Sequence, residues 1–115
     1  MGDTPQGLLD LSVSLDNVAG VDEALGQHEA ARAAYAESLA LCRKINAAVG
    51  DTPQGIFDLA WVLRRLAGLP ATMAGVEHAA CRREAAALLL RLRSAVGPMW
   101  AGNNLDQLLE QLKST

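Results

Sequence analysis

Residues 2–11 read GDTPQGLLDL and residues 50–59 read GDTPQGIFDL, so the chain contains the same segment twice at a spacing of 48 residues. An internal repeat with a period of about 20–50 residues is typical of solenoids, in which each unit covers an apolar face of its neighbour. Because solenoids build extended binding surfaces more often than catalytic pockets, the repeat favours a function in binding another polypeptide.

Composition favours one all-α domain over residues 1–115. Half of the 115 residues are hydrophobic but only 3% are aromatic, and strong helix formers such as Ala, Leu, Arg and Glu fill the segments between the glycines and prolines. Runs of β-branched residues with a period of two are absent from the sequence, so we expect no sheet. A chain of this length has room for a single hydrophobic core.

Caps and glycines predict where the helices begin and end. Each repeat opens with Asp-Thr-Pro, in which an Asp or Thr oxygen caps the helix and proline occupies the first turn. We expect five helices, with bounds from the cap to Leu25, from His28 to about Ala48, from Pro53 to about Gly68, from Thr72 or Val76 to Val96, and from Asn104 to about Lys113. The third helix is expected to stop or kink near Gly68 because Pro70 follows it.

Apolar residues at spacings of three, four or seven predict the buried face of each helix. The predicted buried sets, in chain order, are Leu8, Leu11, Leu15, Val18 and Leu25; Ala31, Tyr35, Leu39, Cys42, Ile45 and Val49; Ile56, Leu59, Leu63 and Leu66; Ala79, Ala86, Leu89, Leu92 and Val96. The last helix has Leu105, Leu108, Leu109 and Leu112 on one side. We expect it to cover the end of the stack, with Asn103 and Asp106 as its N-cap pair.

The segments NVAGV (residues 17–21) and ALGQHEAARAAYAESL (residues 24–39) resemble the tetratricopeptide repeat (TPR) in its longer-period bacterial form. Ala19, Gly26, Ala31 and Tyr35 match the small, turn, close-approach and aromatic positions of that family. The resemblance implies a TPR-like α-solenoid with one repeat over residues 2–49, a divergent repeat over residues 50–97 and a capping helix over residues 103–113.

The resemblance also implies that the first helix of each repeat lines a concave groove that binds a protein or peptide. The residues placed in this groove are Val13, Asp16, Asn17, Glu23, Trp61, Arg64 and Arg65. Trp61 is the expected aromatic anchor, and Arg64 with Arg65 is expected to bind a carboxylate of the partner. The alternatives are that Trp61 packs on a neighbouring helix and that the arginines form a solvated face.

Two alternatives to a partner-binding module also fit the sequence. In one, the chain is a self-associating, homodimeric repeat module; in the other, it is a segment of a longer TPR array. Light scattering over a range of concentrations separates self-association from capture of a partner.

Other function classes find little support in the sequence. A net charge of −3 argues against nucleic acid, which needs a basic surface. The acidic excess lies in residues 1–49, with 7 acidic and 3 basic groups, whereas residues 50–115 carry 6 and 7. No apolar run has membrane-spanning length, and the N-terminus does not read as a signal peptide, so we expect a cytoplasmic protein without membrane contact.

No motif for catalysis, a cofactor or a metal is evident. The serines lack a nucleophile-elbow context and no phosphate-binding loop is present, so an enzyme is not expected. His78 and Cys81 offer two metal ligands on one helix where zinc usually takes four. Cys42 and Cys81 are expected to be reduced and buried.

Overall fold

A computed structural model describes residues 4–113, and its architecture is all-helical, as predicted. The elements are helices α1 (Pro5–Ala24), α2 (His28–Val49), α3 (Pro53–Ala67), α4 (His78–Val96) and α5 (Leu105–Lys113), with strands β1 (Met99–Trp100) and β2 (Asn103–Asn104) between α4 and α5. The extensive helix contacts join consecutive helices along the chain. This packing is consistent with a helical repeat.

The repeated segment forms the same helix start twice. The Thr4 Oγ1 accepts a hydrogen bond from the Gly7 amide at 3.1 Å, and the Thr52 Oγ1 accepts one from the Gly55 amide at 3.0 Å. Each threonine satisfies an amide that has no partner within its helix, and the following proline occupies the first turn. Threonine therefore provides the cap in both copies, and Asp3 lies outside the described residues.

The helix ends follow the glycines and the proline. Gly26 and Gly50 adopt positive φ angles of 78° and 88° at the ends of α1 and α2, a conformation that costs glycine little. Helix α3 stops at Ala67, as the sequence predicts, and α4 begins at His78 rather than at Thr72 or Val76. The intervening chain turns at Pro70, whose carbonyl oxygen accepts the Met73 amide at 2.9 Å.

The buried face of α1 differs from the predicted one. Leu8 is buried, but 47%, 54% and 67% of the surfaces of Leu11, Val18 and Leu25 are exposed. Ser12 and Ala19 are buried instead, and the Ser38 hydroxyl of α2 donates to the Ser12 carbonyl at 3.3 Å. The reason is steric, because small side chains let two helices approach closely where leucine and valine would hold them apart. Leu11, Val18 and Leu25 therefore lie outside the contact between α1 and α2.

The predicted buried faces of the other helices hold with local exceptions. All four predicted residues of α3 are buried, as are Ala31, Tyr35 and Cys42 in α2 and Leu89 and Leu92 in α4. Val49, the last residue of α2, and Ala79, the second residue of α4, are exposed. Ala85, which the pattern missed, is fully buried in the core shared by α1 to α4.

The turn before α5 contains a short hairpin that the sequence did not predict. Strands β1 and β2 pair antiparallel over two residues each, and Ala101 and Gly102 take positive φ angles of 46° and 83° at the tip. The cap of α5 is Asn104, whose Oδ1 accepts the Gln107 amide at 3.0 Å. The predicted N-cap pair was therefore wrong, since Asp106 binds Arg93 and Asn103 donates to the carbonyl groups of the turn.

Helix α5 packs its apolar side on a second core cluster. Leu105 is fully buried against α3 and α4 residues such as Ile56 and Leu92, and Leu108, Leu109 and Leu112 are half-buried against the same cluster. The helix covers one end of the stack, which agrees with its expected place.

The junction between the two repeats gives a stability test. The Asn46 Nδ2 of α2 donates to the Gly55 carbonyl of α3 at 3.2 Å, and a methyl group on Gly55 would overlap the Asn46 side-chain oxygen. We expect Gly55→Ala to lower the free energy of unfolding by about 1–3 kcal/mol. Gly20→Ala is the control, because a methyl group there meets nothing within 4 Å; it should raise stability by about 0.5–1 kcal/mol. Urea unfolding followed by circular dichroism measures both, and equal effects would contradict the proposed junction.

Candidate functional site

A groove runs between α1 and α3, with α2 as its floor, and contains a pocket of about 270 Å³. The residues that line it are Leu9, Ser12, Val13, Asp16, Asn17, Cys42, Phe57, Asp58 and Trp61. The pocket forms because α1 and α3 both pack on α2 rather than extensively on each other. The first helices of the two repeats therefore line one groove.

Four of the seven predicted site residues meet at this pocket. They are Val13, Asp16 and Asn17 from α1 and Trp61 from α3. Val13 and Asn17 are exposed, whereas Asp16 and Trp61 are half-buried. The pocket thus has an apolar and aromatic wall and a carboxylate, and its use in binding stays a prediction.

Glu23 and Arg65, two further predicted site residues, are bound to each other. The Arg65 Nη2 donates to the Glu23 Oε1 at 2.9 Å, and the Tyr35 hydroxyl donates to the same oxygen at 2.9 Å. Arg65 Nε also donates to the Tyr35 hydroxyl at 3.1 Å. One polar network therefore joins α1, α2 and α3, and burial raises the pKa of Tyr35 within it.

Trp61 is held in place by the same network. Its ring meets the Tyr35 ring edge to face at a centroid distance of 6.3 Å, and the Arg65 guanidinium lies 5.6 Å from the indole centroid. Both contacts are favourable for aromatic rings. Trp61 thus packs against α2, as the alternative interpretation expected, and borders the pocket on another side. Its role as an anchor for a partner stays a prediction.

Arg64 points away from Arg65, toward α5. Its Nη2 donates to the Gln111 side-chain oxygen at 3.1 Å. Burial lowers the pKa of the Arg64 guanidinium, and the charge of Arg65 lowers it further. The two arginines therefore have separate acceptors within the chain, and the structure does not bring them together as a joint carboxylate site.

Two carboxylates dominate the electrostatics of the pocket. Burial raises the pKa of Asp16, the Ser38 hydroxyl lowers it and the charge of Asp58 raises it again. Burial also raises the pKa of Asp58, against a hydrogen bond of 2.7 Å from Gln54. The Oδ1 of Asp16 is buried and has no hydrogen-bond partner among the described residues. A buried, unpaired carboxylate oxygen costs free energy that a bound donor would recover.

Cys42 lies at the floor of the pocket. Burial, followed by the charges of Asp16 and Asp58, raises the pKa of its thiol to about 11. A thiol with this pKa stays protonated near neutral pH and is a poor nucleophile. Cys42 and Cys81 are both free; Cys42 is buried as expected, whereas Cys81 is only half-buried.

The sequence did not predict Asp58 or the floor of the pocket. Asp58 occupies the position in the second repeat that Asp10 occupies in the first. Asp10 is exposed, whereas Asp58 is half-buried beside the pocket. The available signal was the spacing of Asp58 and Trp61, which are three residues apart and so share one face of α3.

Residues 4–113 contain no cluster of three or more His, Cys, Asp and Glu side chains that could hold a metal. The His78 ring nitrogen lies 2.9 Å from the Pro70 carbonyl oxygen, so it is engaged in the turn before α4. None of the helices within this range has the length and apolar character to cross a membrane.

Comparison of the chain with protein-family models, with curated proteins and with solved structures found no match. The resemblance to the TPR family therefore stays a prediction from the sequence.

The raised pKa of Asp58 predicts a pH-dependent effect on stability. The folded chain binds the Asp58 proton more tightly than the unfolded chain, so stability falls as pH rises from the ordinary value of 3.8 through the folded pKa. Asp58→Asn should therefore raise the melting temperature at pH 7 by a few degrees, with the gain disappearing near pH 3.

Asp10→Asn provides the matched control, because Asp10 accepts a hydrogen bond from Gln6 as Asp58 does from Gln54, but is exposed. Thermal melts at both pH values measure the difference. Equal shifts in the two variants would show that burial at the pocket does not penalise the Asp58 charge.

Proposed function

We propose that the chain is a non-enzymatic protein-binding module that holds a segment of a partner protein in the groove between α1 and α3. The observation that carries this proposal is the unpaired, buried Oδ1 of Asp16 in a pocket bounded by Trp61. A TPR-like arrangement, in which first helices line the binding groove, supports the same surface. The proposed setting is the cytoplasm, as the sequence predicts.

The chemistry of the pocket favours a partner segment with a lysine or arginine side chain. Asp16 and Asp58 provide negative charge at its polar end, and a cation between them offsets the free energy that their burial costs. Trp61 and Phe57 provide aromatic faces, which attract cations and pack against the methylene groups of a long side chain. This reverses the charge expected from the sequence, because Arg64 and Arg65 are already bound within the chain.

Peptide binding tests this proposal. Labelled dodecapeptides with a central lysine, arginine, norleucine or glutamate, otherwise identical, are titrated with the protein and followed by fluorescence anisotropy. We expect the lysine and arginine peptides to bind and the other two to bind at least about tenfold more weakly, since these two lack the cation that pairs with Asp16 and Asp58. Preference for the glutamate peptide would contradict the proposal.

Variants locate the binding surface. Trp61→Ala and the double variant Asp16→Asn/Asp58→Asn should each lower the affinity for the lysine peptide by about tenfold or more. The control Asp10→Asn/Glu110→Gln removes two exposed acidic groups and changes the net charge equally, so it should leave affinity nearly unchanged. Equal loss in the control would indicate general attraction to an acidic protein.

The two raised carboxyl pKa values also predict the pH dependence of binding. A bound cation stabilises the ionised forms of Asp16 and Asp58, so the affinity for the lysine peptide should fall as pH drops through their raised values. Anisotropy titrations in buffers between pH 7.5 and pH 4 measure this decrease in affinity. The double asparagine variant should show little of it, and an equal pH dependence there would place the titrating groups elsewhere.

A further inference from the structure

A second surface, independent of the α1–α3 groove, lies between α4 and α5. These helices border an open groove of about 750 Å³. Its apolar lining includes Ala79, Ala86 and Leu90 from α4 and Leu109 from α5, and Leu90 is 55% exposed. An open apolar groove between two helices has the shape that accepts a further helix.

The rim of this groove is basic. Arg82, Arg83, Arg93 and Lys113 line it, together with Asp106 and Glu110. Arg93 is paired with Asp106 and Lys113 with Glu110. Within the part of the chain that the structure describes, Arg82 and Arg83 form no ion pair, so the groove offers two uncompensated positive charges.

The opposite end of the molecule has complementary properties. Leu11 and Val18 of α1 and the C-cap residue Leu25 recur every seven residues, and with Val21 they form an exposed apolar row. Helix α1 contains four acidic residues and no basic one. By helical spacing, Asp10 lies on one side of the row and Asp22 on the other.

The two surfaces also match in length. Leu11 and Leu25 are separated by 14 residues, as are Ala79 and Arg93 on α4, which corresponds to about 21 Å of helix in each case. Docking the row in the groove would cover apolar surface on both sides and place one acidic flank of α1, at Asp10 or at Asp22, near Arg82 and Arg83. Pairing of α1 with α1, or of groove with groove, would instead bring like charges together.

We propose that the exposed row of α1 in one copy docks in the α4–α5 groove of a second copy. Such a contact joins two different surfaces, so each bound pair still has one free row and one free groove. The assembly therefore grows head to tail with concentration rather than stopping at a dimer. Trp61 and Asp16 take no part in it, so the peptide-binding function and the self-association can fail separately.

Sedimentation velocity of the full chain over a hundredfold range of concentration tests growth. Wild type should shift from monomer through dimer to larger species, and added salt should reduce this shift because the contact is partly ionic. A wild type that stays monomeric throughout, or that stops at dimer, would overturn the proposal.

Complementing variants identify the two surfaces. The row variant Val18→Glu/Leu25→Glu retains the groove, and the groove variant Arg82→Glu/Arg83→Glu retains the row. Each should be monomeric alone, whereas an equimolar mixture should form a species of two chains. A groove variant that dimerises alone, while the row variant does not, would indicate α1–α1 pairing and reject the proposal.

Two measurements keep this result interpretable. Circular dichroism establishes that each variant retains the helical content of wild type, since all four substituted positions are exposed or half-buried. The milder variant Arg82→Gln/Arg83→Gln should raise the concentration needed for assembly about tenfold without reversing the charge. Unchanged assembly by this variant would contradict the proposed role of Arg82 and Arg83 in the contact. Retained binding of the lysine peptide by all variants would show that the α1–α3 groove is separate from the assembly contact.

Discussion

The close approach of α1 to α2 is the constraint on which the rest of the structure depends. The contact is made of small side chains, with Ser12 and Ala19 on α1 and Ala31, Ala34 and Ser38 on α2, all of them buried. Small residues bring the helix axes near and leave the next face of α2 free for α3. A larger side chain in this contact would separate α1 from α2 and move one wall of the pocket away from its floor.

The polar network around Tyr35 adds order to the packing of the first three helices. Its hydrogen bonds join residues 12, 30 and 42 positions apart in the chain, and they fix Arg65 against the Trp61 ring. A partly exposed ion pair of this kind contributes little stability. Its structural effect is to hold one aromatic wall of the pocket before a partner arrives, which reduces the entropy that binding must overcome.

The local signals in the sequence predicted the fold better than the site. Thr52, Gly50 and Pro70 affect only the backbone a few residues away from them. Helix starts and ends therefore follow from short stretches of sequence. The buried face of α1 was predicted incorrectly because hydrophobicity alone does not distinguish a close contact made by Ser12 from a looser one made by Leu11.

The site was harder to predict because it depends on distant partners. Arg65 finds Glu23 and Arg64 finds Gln111 across more than forty residues, and no spacing rule reveals such pairs. The resemblance did place Val13, Asp16 and Trp61 on the helices that line one groove.

Helix hairpins whose extensive contacts run between chain neighbours have low contact order, which favours rapid folding. Either hairpin is then able to nucleate, and the nine-residue α5 gains its partners only after α3 and α4 have assembled.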